Sequence, residues 1–376
     1  MKQVTLLVSF ILLIAIGLNG QNNKRTSAYM YLQNNQLDKA KEAIDEASVH
    51  EKTQYDPKTW LYKGMIYYQL ATGTLPMYDG LAPDAADVAY DALLNAKKYD
   101  EKGRYEDDIK LYMSYLTQIF YQQGGNHFQE HNYEASIDDF IKAFKIAEAN
   151  GQFDTIAAFN IGMAGVLSDN PDVASEYLAK CVEVKFDDPR VYTFYNRSVK
   201  QLGDTARAFE IVREGRERFP DELSLLLEEA QLYLETGQKE KLLSSLLEAI
   251  EEDPTNANLY FLVGKTYDDK KEYEKAEEYY KKSSEVNPTF FEAFYNMGAI
   301  YVNQAAETQA LANDLPLNET DKYNELTDQA GKYLEMAVPY LEKALEIRPN
   351  DVPTITALKE AYARLNMTDK LEKLNK

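Results

Sequence analysis

Pro220, Pro254 and Pro288 stand 34 residues apart, and Gly264 with Gly298 and Ala174 with Ala208 share that interval. A repeat of this length is one supersecondary unit, too small to bury a hydrophobic face alone. Neighbouring units must cover it, so the chain is constrained to a stacked array. Its 376 residues also exceed what one compact core usually holds. The best-formed unit, residues 255–288, reads TNANLYFLVGKTYDDKKEYEKAEEYYKKSSEVNP. Tyr260, Val263, Gly264 and Tyr267 fall at helical spacing on one face. Gly264 leaves room for a partner helix. The polar stretch DDKKE predicts a turn, and Ala276, Tyr280 and Ser283 predict the inner face of a second helix. Pro288 halts that helix.

The same register runs along the rest of the chain. Ala28, Leu37, Ala40 and Ile44 mark a first unit, and Trp60, Gly64, Tyr67, Ala89, Leu93 and Ala96 a second. A third holds Phe120, Gly124, Ser136, Phe140 and Ala143, and a fourth Ile161, Gly162, Ala174, Leu178 and Cys181. Tyr192, Tyr195, Ala208 and Val212 mark the fifth, and Ala230, Tyr233, Leu242, Leu246 and Ala249 the sixth. The seventh is quoted above. Met297, Gly298, Tyr301, Ala337, Leu341 and Pro349 mark the eighth. A last helix is expected from Val352 to Leu365, and the polar tail TDKLEKLNK would cap the stack.

The order in residues 255–288 resembles the tetratricopeptide repeat, W-x₂-L-G-x₂-Y, then A-x₃-F, then P. Tyrosine stands where that family has Trp and Phe, which accounts for 29 tyrosines against one Trp. The resemblance implies an all-α fold, a right-handed α-solenoid of about eight helix-turn-helix repeats. It spans residues 21–350, with insertions near 71–88 and 304–335, and residues 351–376 form the capping helix and tail. It also implies a protein-binding scaffold with no catalytic residues, no cofactor and no metal. The partner would lie in the concave groove lined by each unit's first helix and along the edge that bears the insertions.

Lys2 precedes an uncharged run, VTLLVSFILLIAI, from Val4 to Ile16, with small residues at Gly17 and Gly20 beyond it. This order predicts a secretory signal peptide over residues 1–20, cleaved after Gly20 or, alternatively, after Gly17. An uncleaved anchor is the competing reading, although the run is shorter than the roughly 20 residues a bilayer takes. No cysteine lies near the cleavage site, which excludes lipid attachment in the bacterial lipoprotein manner. The expected location is the periplasm or the exterior. The net charge of −21 repels phosphates and anionic headgroups, so no nucleic acid partner is expected. No second apolar run is long enough to span a membrane, so an integral membrane protein is not expected.

Residues 127–131, HFQEH, match the H-x-x-E-H order of a family of zinc proteases. Such a site needs both histidines on one helix. The repeat register instead places His127 near the end of one helix and His131 in the following turn. A zinc-dependent hydrolase is therefore the remote alternative. Cys181 is the single cysteine and falls at the small inner position held by Ala143, Ala249 and Ala344, which predicts a buried, inert thiol.

The two insertions add about 13 and about 27 residues at turns between the helices of a unit. In the longer one, Tyr301, Ala305, Thr308 and Ala312 going out and Tyr323, Leu326, Ala330 and Tyr333 returning keep helical spacing. That pattern predicts lengthened antiparallel arms, with a kink at Pro339. Gln304 to Glu335 is read as a projecting, partner-contacting hairpin.

The family's carboxylate clamp sets Lys and Asn, then Asn, then Lys and Arg on successive first helices. Asn160 and Arg190 match two of those positions, while Tyr121, Gly125 and Phe194 occupy the others. A C-terminal chaperone tail as ligand is not implied. Arg190, Arg197 and Lys200 nevertheless form a basic spot in an acidic chain. They are read, with Asn160, as candidate contacts for an acidic segment of a partner; internal pairing with carboxylates such as Glu228 is the alternative. The functional expectation is a protein or peptide-binding adaptor of the bacterial cell envelope. A structural subunit of an envelope assembly or secretion complex is the second reading.

Overall fold

The computed structural model describes residues 24–73 and 75–374. The expected signal peptide lies outside them. Every regular element among the described residues is a helix, and the chain is an all-α solenoid of helix pairs. It divides into two compact units between Gly203 and Asp204.

The first unit holds α1 (24–33), α2 (Leu37–Val49), α3 (Pro57–Ala71), α4 (Ala85–Tyr99), α5 (Glu106–Gln129), α6 (Tyr133–Ala149), α7 (Thr155–Leu167), α8 (Pro171–Glu183) and α9 (Arg190–Gln201). The second holds α10 (Thr205–Arg218), α11 (Leu223–Glu235), α12 (Lys239–Glu252), α13 (Ala257–Asp268), α14 (Tyr273–Val286), α15 (Phe291–Asn313), α16 (Thr320–Ile347), α17 (Val352–Arg364) and α18 (Thr368–Leu374). The division falls inside the fifth repeat read from sequence. Tyr192 and Tyr195 belong to the first unit, Ala208 and Val212 to the second.

Five of the pairs share one recurring contact. A glycine on the first helix lets a large side chain of the second lie against the backbone. Gly124 meets Phe140, Gly162 meets Leu178, and Gly264 meets Tyr280, each sixteen residues on. In the two pairs with insertions, Gly64 meets Leu93 and Gly298 meets Leu341. A Cβ would lie 2.7 Å from Leu93, 2.7 Å from Tyr280 and 2.6 Å from Leu341, which rigid helices cannot accept without moving apart.

The turns recur as well. Asn35, His131, Asp169, Gly237 and Lys271 all have positive φ. The next residue's N–H bonds back to the helix, as in Asn132 N to the His127 carbonyl (2.8 Å) and Glu272 N to the Tyr267 carbonyl (3.0 Å). This is the left-handed cap that closes a helix and reverses the chain. Several first helices are then opened by an acid or amide cap, with Asp56, Asp154, Asn256 and Asp351 each accepting a backbone N–H.

Tyrosine also ties repeats together. The Tyr67 hydroxyl of α3 donates to Asp45 of α2 (2.8 Å), Tyr301 of α15 to Glu277 of α14 (2.6 Å), and Tyr362 of α17 to Glu342 of α16 (2.7 Å). The ring is buried in the seam and its hydroxyl reaches a carboxylate at the edge, a task Phe cannot perform.

α15 and α16, of 23 and 28 residues, are the longest helices of the second unit. α16 continues through Pro339 without a break. Ala337, Val338 and Leu341 are buried there among Leu358, Ala361 and Tyr362 of α17, and this packing carries the turn that lacks a proline N–H. The same cluster includes Ala305, Ala330 and Leu334, with Leu371 and Leu374 of α18 packed against it. The inner half of the hairpin is thus covered by the last two helices.

Candidate functional site

The register explains HFQEH. α5 ends at Gln129, and His131 sits beyond it in the left-handed turn at φ 60°. His127 Nδ1 pairs with Asp139 Oδ2 of α6 at 2.9 Å, while His131 Nδ1 and the Tyr133 hydroxyl share a 2.8 Å hydrogen bond. The two imidazoles therefore engage different partners. Among the described residues, no group of three or more His, Cys, Asp or Glu side chains is placed to hold a metal. Burial pushes the Asp139 carboxyl above its usual range, with the His127 hydrogen bond opposing it.

Cys181 is fully buried on α8, 3.9 Å from the Thr155 carbonyl, and burial pushes its thiol up to about 12. Such a thiol is protonated at neutral pH and is not a nucleophile.

The basic spot lies on α9, with Asn160 on α7. Arg190 opens α9 and grips Asp188 at two points, Nε to Oδ1 at 3.0 Å and Nη2 to Oδ2 at 2.6 Å. This pairing holds the Asp188 carboxyl below its usual range. The guanidinium also lies over the Phe159 ring at 5.2 Å, and Arg197 lies over Phe194 at 5.9 Å. Phe159 and Phe194 touch edge to face at 6.0 Å. Arg190 and Arg197 thus flank one aromatic strip. Asn160, half-buried, follows Phe159 on α7, and Lys200, half-buried, follows Arg197 on α9. Sequence reasoning missed Phe159 and Asp188. The order Asp188-Pro189-Arg190 was a sign of Asp188, and Phe159 left none. Tyr121, at a departed clamp position, donates to Asp154 Oδ1 at 2.6 Å, so that carboxylate serves the α7 cap and not a ligand.

Two further surfaces come from first helices. In the first unit Tyr68 of α3 stacks on Tyr115 of α5 at 5.5 Å and meets Tyr112 edge to face at 5.5 Å. Tyr115 remains exposed. In the second unit an apolar slot of about 250 Å³ opens between α11 and α13. Leu227, Gln231 and Leu234 form one wall, Leu262, Lys265 and Asp269 the other. Ala230, Leu242 and Leu246 lie at its base. Leu234 is 48% exposed, an apolar side chain at the mouth of an apolar slot.

The tetratricopeptide repeat profile matches residues 257–290 and 330–351. Over 106 residues the chain is 31% identical to the Photosystem I assembly protein Ycf3 of Acaryochloris marina (strain MBIC 11017). That match covers 27% of this chain and 55% of the relative, so the chain spans about half the relative's length. Among solved structures, YrrB, described as a TPR protein with an unusual peptide-binding site, is 16% identical with a TM-score of 0.40, covering 47% of this chain and 90% of its own. MamA (41-end) from Desulfovibrio magneticus RS-1 is 19% identical with a TM-score of 0.40, covering 52% and 97%. A TPR repeats protein from Bacteroides fragilis NCTC 9343 is 18% identical with a TM-score of 0.31, covering 66% and 98%. The matched profile identifies tetratricopeptide repeats at residues 257–290 and 330–351, and the same helix-pair register recurs along the rest of the described chain.

Proposed function

We propose that the chain is a non-catalytic adaptor that holds a segment of another protein in the slot between α11 and α13, and that it works in the bacterial cell envelope or outside the cell. Proteins built from these repeats generally mediate protein–protein contacts. The observation that carries the reading is the slot itself. Leu227 and Leu262, half-buried against the core of this unit, and Leu234, exposed, line a groove on two successive first helices. Lys265 and Asp269 at its margin supply polar points that fix orientation. Partner recognition would read as an apolar anchor residue flanked by a polar group of either sign. The strip of Arg190, Phe159, Phe194 and Arg197 in the first unit offers a separate contact, for an acidic stretch of a partner. Arg190 would exchange Asp188 for the partner's carboxylate.

Export rests on the apolar run Val4–Ile16 behind Lys2. No helix among the described residues is long and apolar enough to cross a membrane. N-terminal sequencing of the secreted protein should start at Gln21; recovery of Met1 in a membrane pellet would contradict this part of the reading.

Selection of a random peptide library on the full chain tests the slot. Enriched peptides should share an apolar anchor. They should bind the parent and lose about tenfold or more on Leu227→Asp with Leu262→Asp, the range expected for a central apolar contact. No enrichment, or equal binding to the variant, would refute the reading.

A further inference from the structure

The two insertions carry the same five-residue signature. Residues 75–79 read Leu-Pro-Met-Tyr-Asp and residues 315–319 read Leu-Pro-Leu-Asn-Glu. Both close with the same bond. The Asp79 N–H bonds to the Pro76 carbonyl at 3.2 Å, and the Glu319 N–H to the Pro316 carbonyl at 2.9 Å. In both, the residue after proline is thrown outward. Met77 is 79% exposed and Leu317 fully exposed. A single exposed apolar side chain needs no explanation. Two in one signature, one closing bond and one repeat position call for one.

A socket of matching chemistry lies in the first unit. α5 is longer than α6, and its first turns extend past the end of α6 at Ala149. The corner so formed holds a pocket of about 280 Å³, floored by Leu94, Ile109, Met113 and Ile146. Lys97, Lys110 and Lys145 stand at its rim with Asp100 and Glu106. Both acids are engaged. Glu106 pairs with Lys110 at 2.7 Å, and Asp100 accepts the N–H groups of Arg104 (3.0 Å) and Tyr105 (2.6 Å). Lys97 and Lys145 are exposed, and neither is ion-paired among the described residues.

We propose that the tip of one copy docks in this pocket of a second copy. Met77 or Leu317 enters over Ile109 and Met113, and the acid that closes the turn, Asp79 or Glu319, meets Lys97 and Lys145. The first tip cannot reach its own pocket. It precedes α4, whereas Lys97 lies near the far end of that helix, twelve residues or about 18 Å beyond Ala85. An anionic lipid surface fits poorly, because Asp314, Glu319 and Asp321 surround Leu317 on a chain of net charge −21. The contact is independent of the α11–α13 slot.

Sedimentation equilibrium of the full chain across the micromolar range tests the proposal. The parent should gain mass with concentration. Met77→Asp with Leu317→Asp, and separately Lys97→Glu with Lys145→Glu, should weaken association about tenfold or more. All four residues are exposed, so melting should not change. Adding Asp79→Lys and Glu319→Lys to the lysine-reversed chain should restore association. A parent that is monomeric throughout overturns the proposal. So does association that survives both sets of variants, or a double reversal that stays monomeric.

Discussion

Two aspartates show how the same side chain takes opposite roles in one stack. Burial opposes ionisation of Asp45, but hydrogen bonds from Lys63, Tyr67 and Lys41 outweigh it and hold the carboxyl below its usual range. A depressed carboxyl contributes stability that is present above its unfolded value and lost as pH falls through the folded one. Asp139 is the reverse. Burial raises it, so its ionisation costs stability that appears as pH rises through the folded value and is absent in acid. Asp45→Asn should therefore lower the melting temperature at neutral pH, by about 1–2 kcal/mol of stability, with the deficit closing in acid. Asp139→Asn should match or exceed the parent at neutral pH, with any gain vanishing in acid. Thermal melts of the three chains from neutral pH down through the carboxylate range check both signs. Neither aspartate was legible in the sequence. Periodicity marks which residues face inward, but not which buried acid finds cations.

The glycine contacts were legible, because a small residue at a fixed offset from a large one is itself a pattern. Gly264→Ala would press on Tyr280 and the Ala276 carbonyl, and Gly298→Ala on Leu341. Each should cost about 1–3 kcal/mol by forcing the pair apart. Gly125→Ala, with nothing within 4 Å, should be neutral or slightly stabilising, since alanine is the better helix former. Urea melts of the three variants distinguish a packing role from simple helix propensity.

At the level of elements, the spacing of apolar residues along α15 and α16 announced the long arms. What spacing did not announce is that α17 and α18 lie on them. The contact depends on Leu358, Ala361 and Tyr362 meeting Ala305, Ala330 and Leu334 across a separation that local periodicity does not report. The consequence is specific. Replacing the distal stretch 308–327 by a short turn should leave the unit folded, at the cost only of contacts such as Gln309 with Arg364. Removing all of 304–335 takes Ala305, Ala330 and Leu334 with it and should strip α17 and α18 from the stack. Proteolysis of the two variants, read at the C-terminus, separates these outcomes. Equal resistance would show that the inner arms do not support the last helices.

The whole chain shows where a period ceases to inform. The 34-residue interval runs without interruption from Asp169 through Gly203 and Gly237 to Lys271, all with positive φ, yet the division into two units falls at Gly203. A repeat register identifies helix pairs and does not say which neighbours cluster together. The same limit hid the slot. Leu227, Leu234 and Leu262 lie off the inner stripe that the register marks, and their spacing does not show that two half-buried leucines and one exposed leucine meet across two helices. The basic spot was legible as residue types, but its aromatic floor was not, because Phe159 and Phe194 come from different helices. The central claim is that the slot between α11 and α13 is where a partner segment binds. Hydrogen–deuterium exchange on the full chain, with and without a peptide selected on it, tests this most directly. Binding should slow exchange across residues 227–234 and 262–269 and leave α4 and α6 unchanged; protection elsewhere, with the slot exchanging as before, would contradict the account.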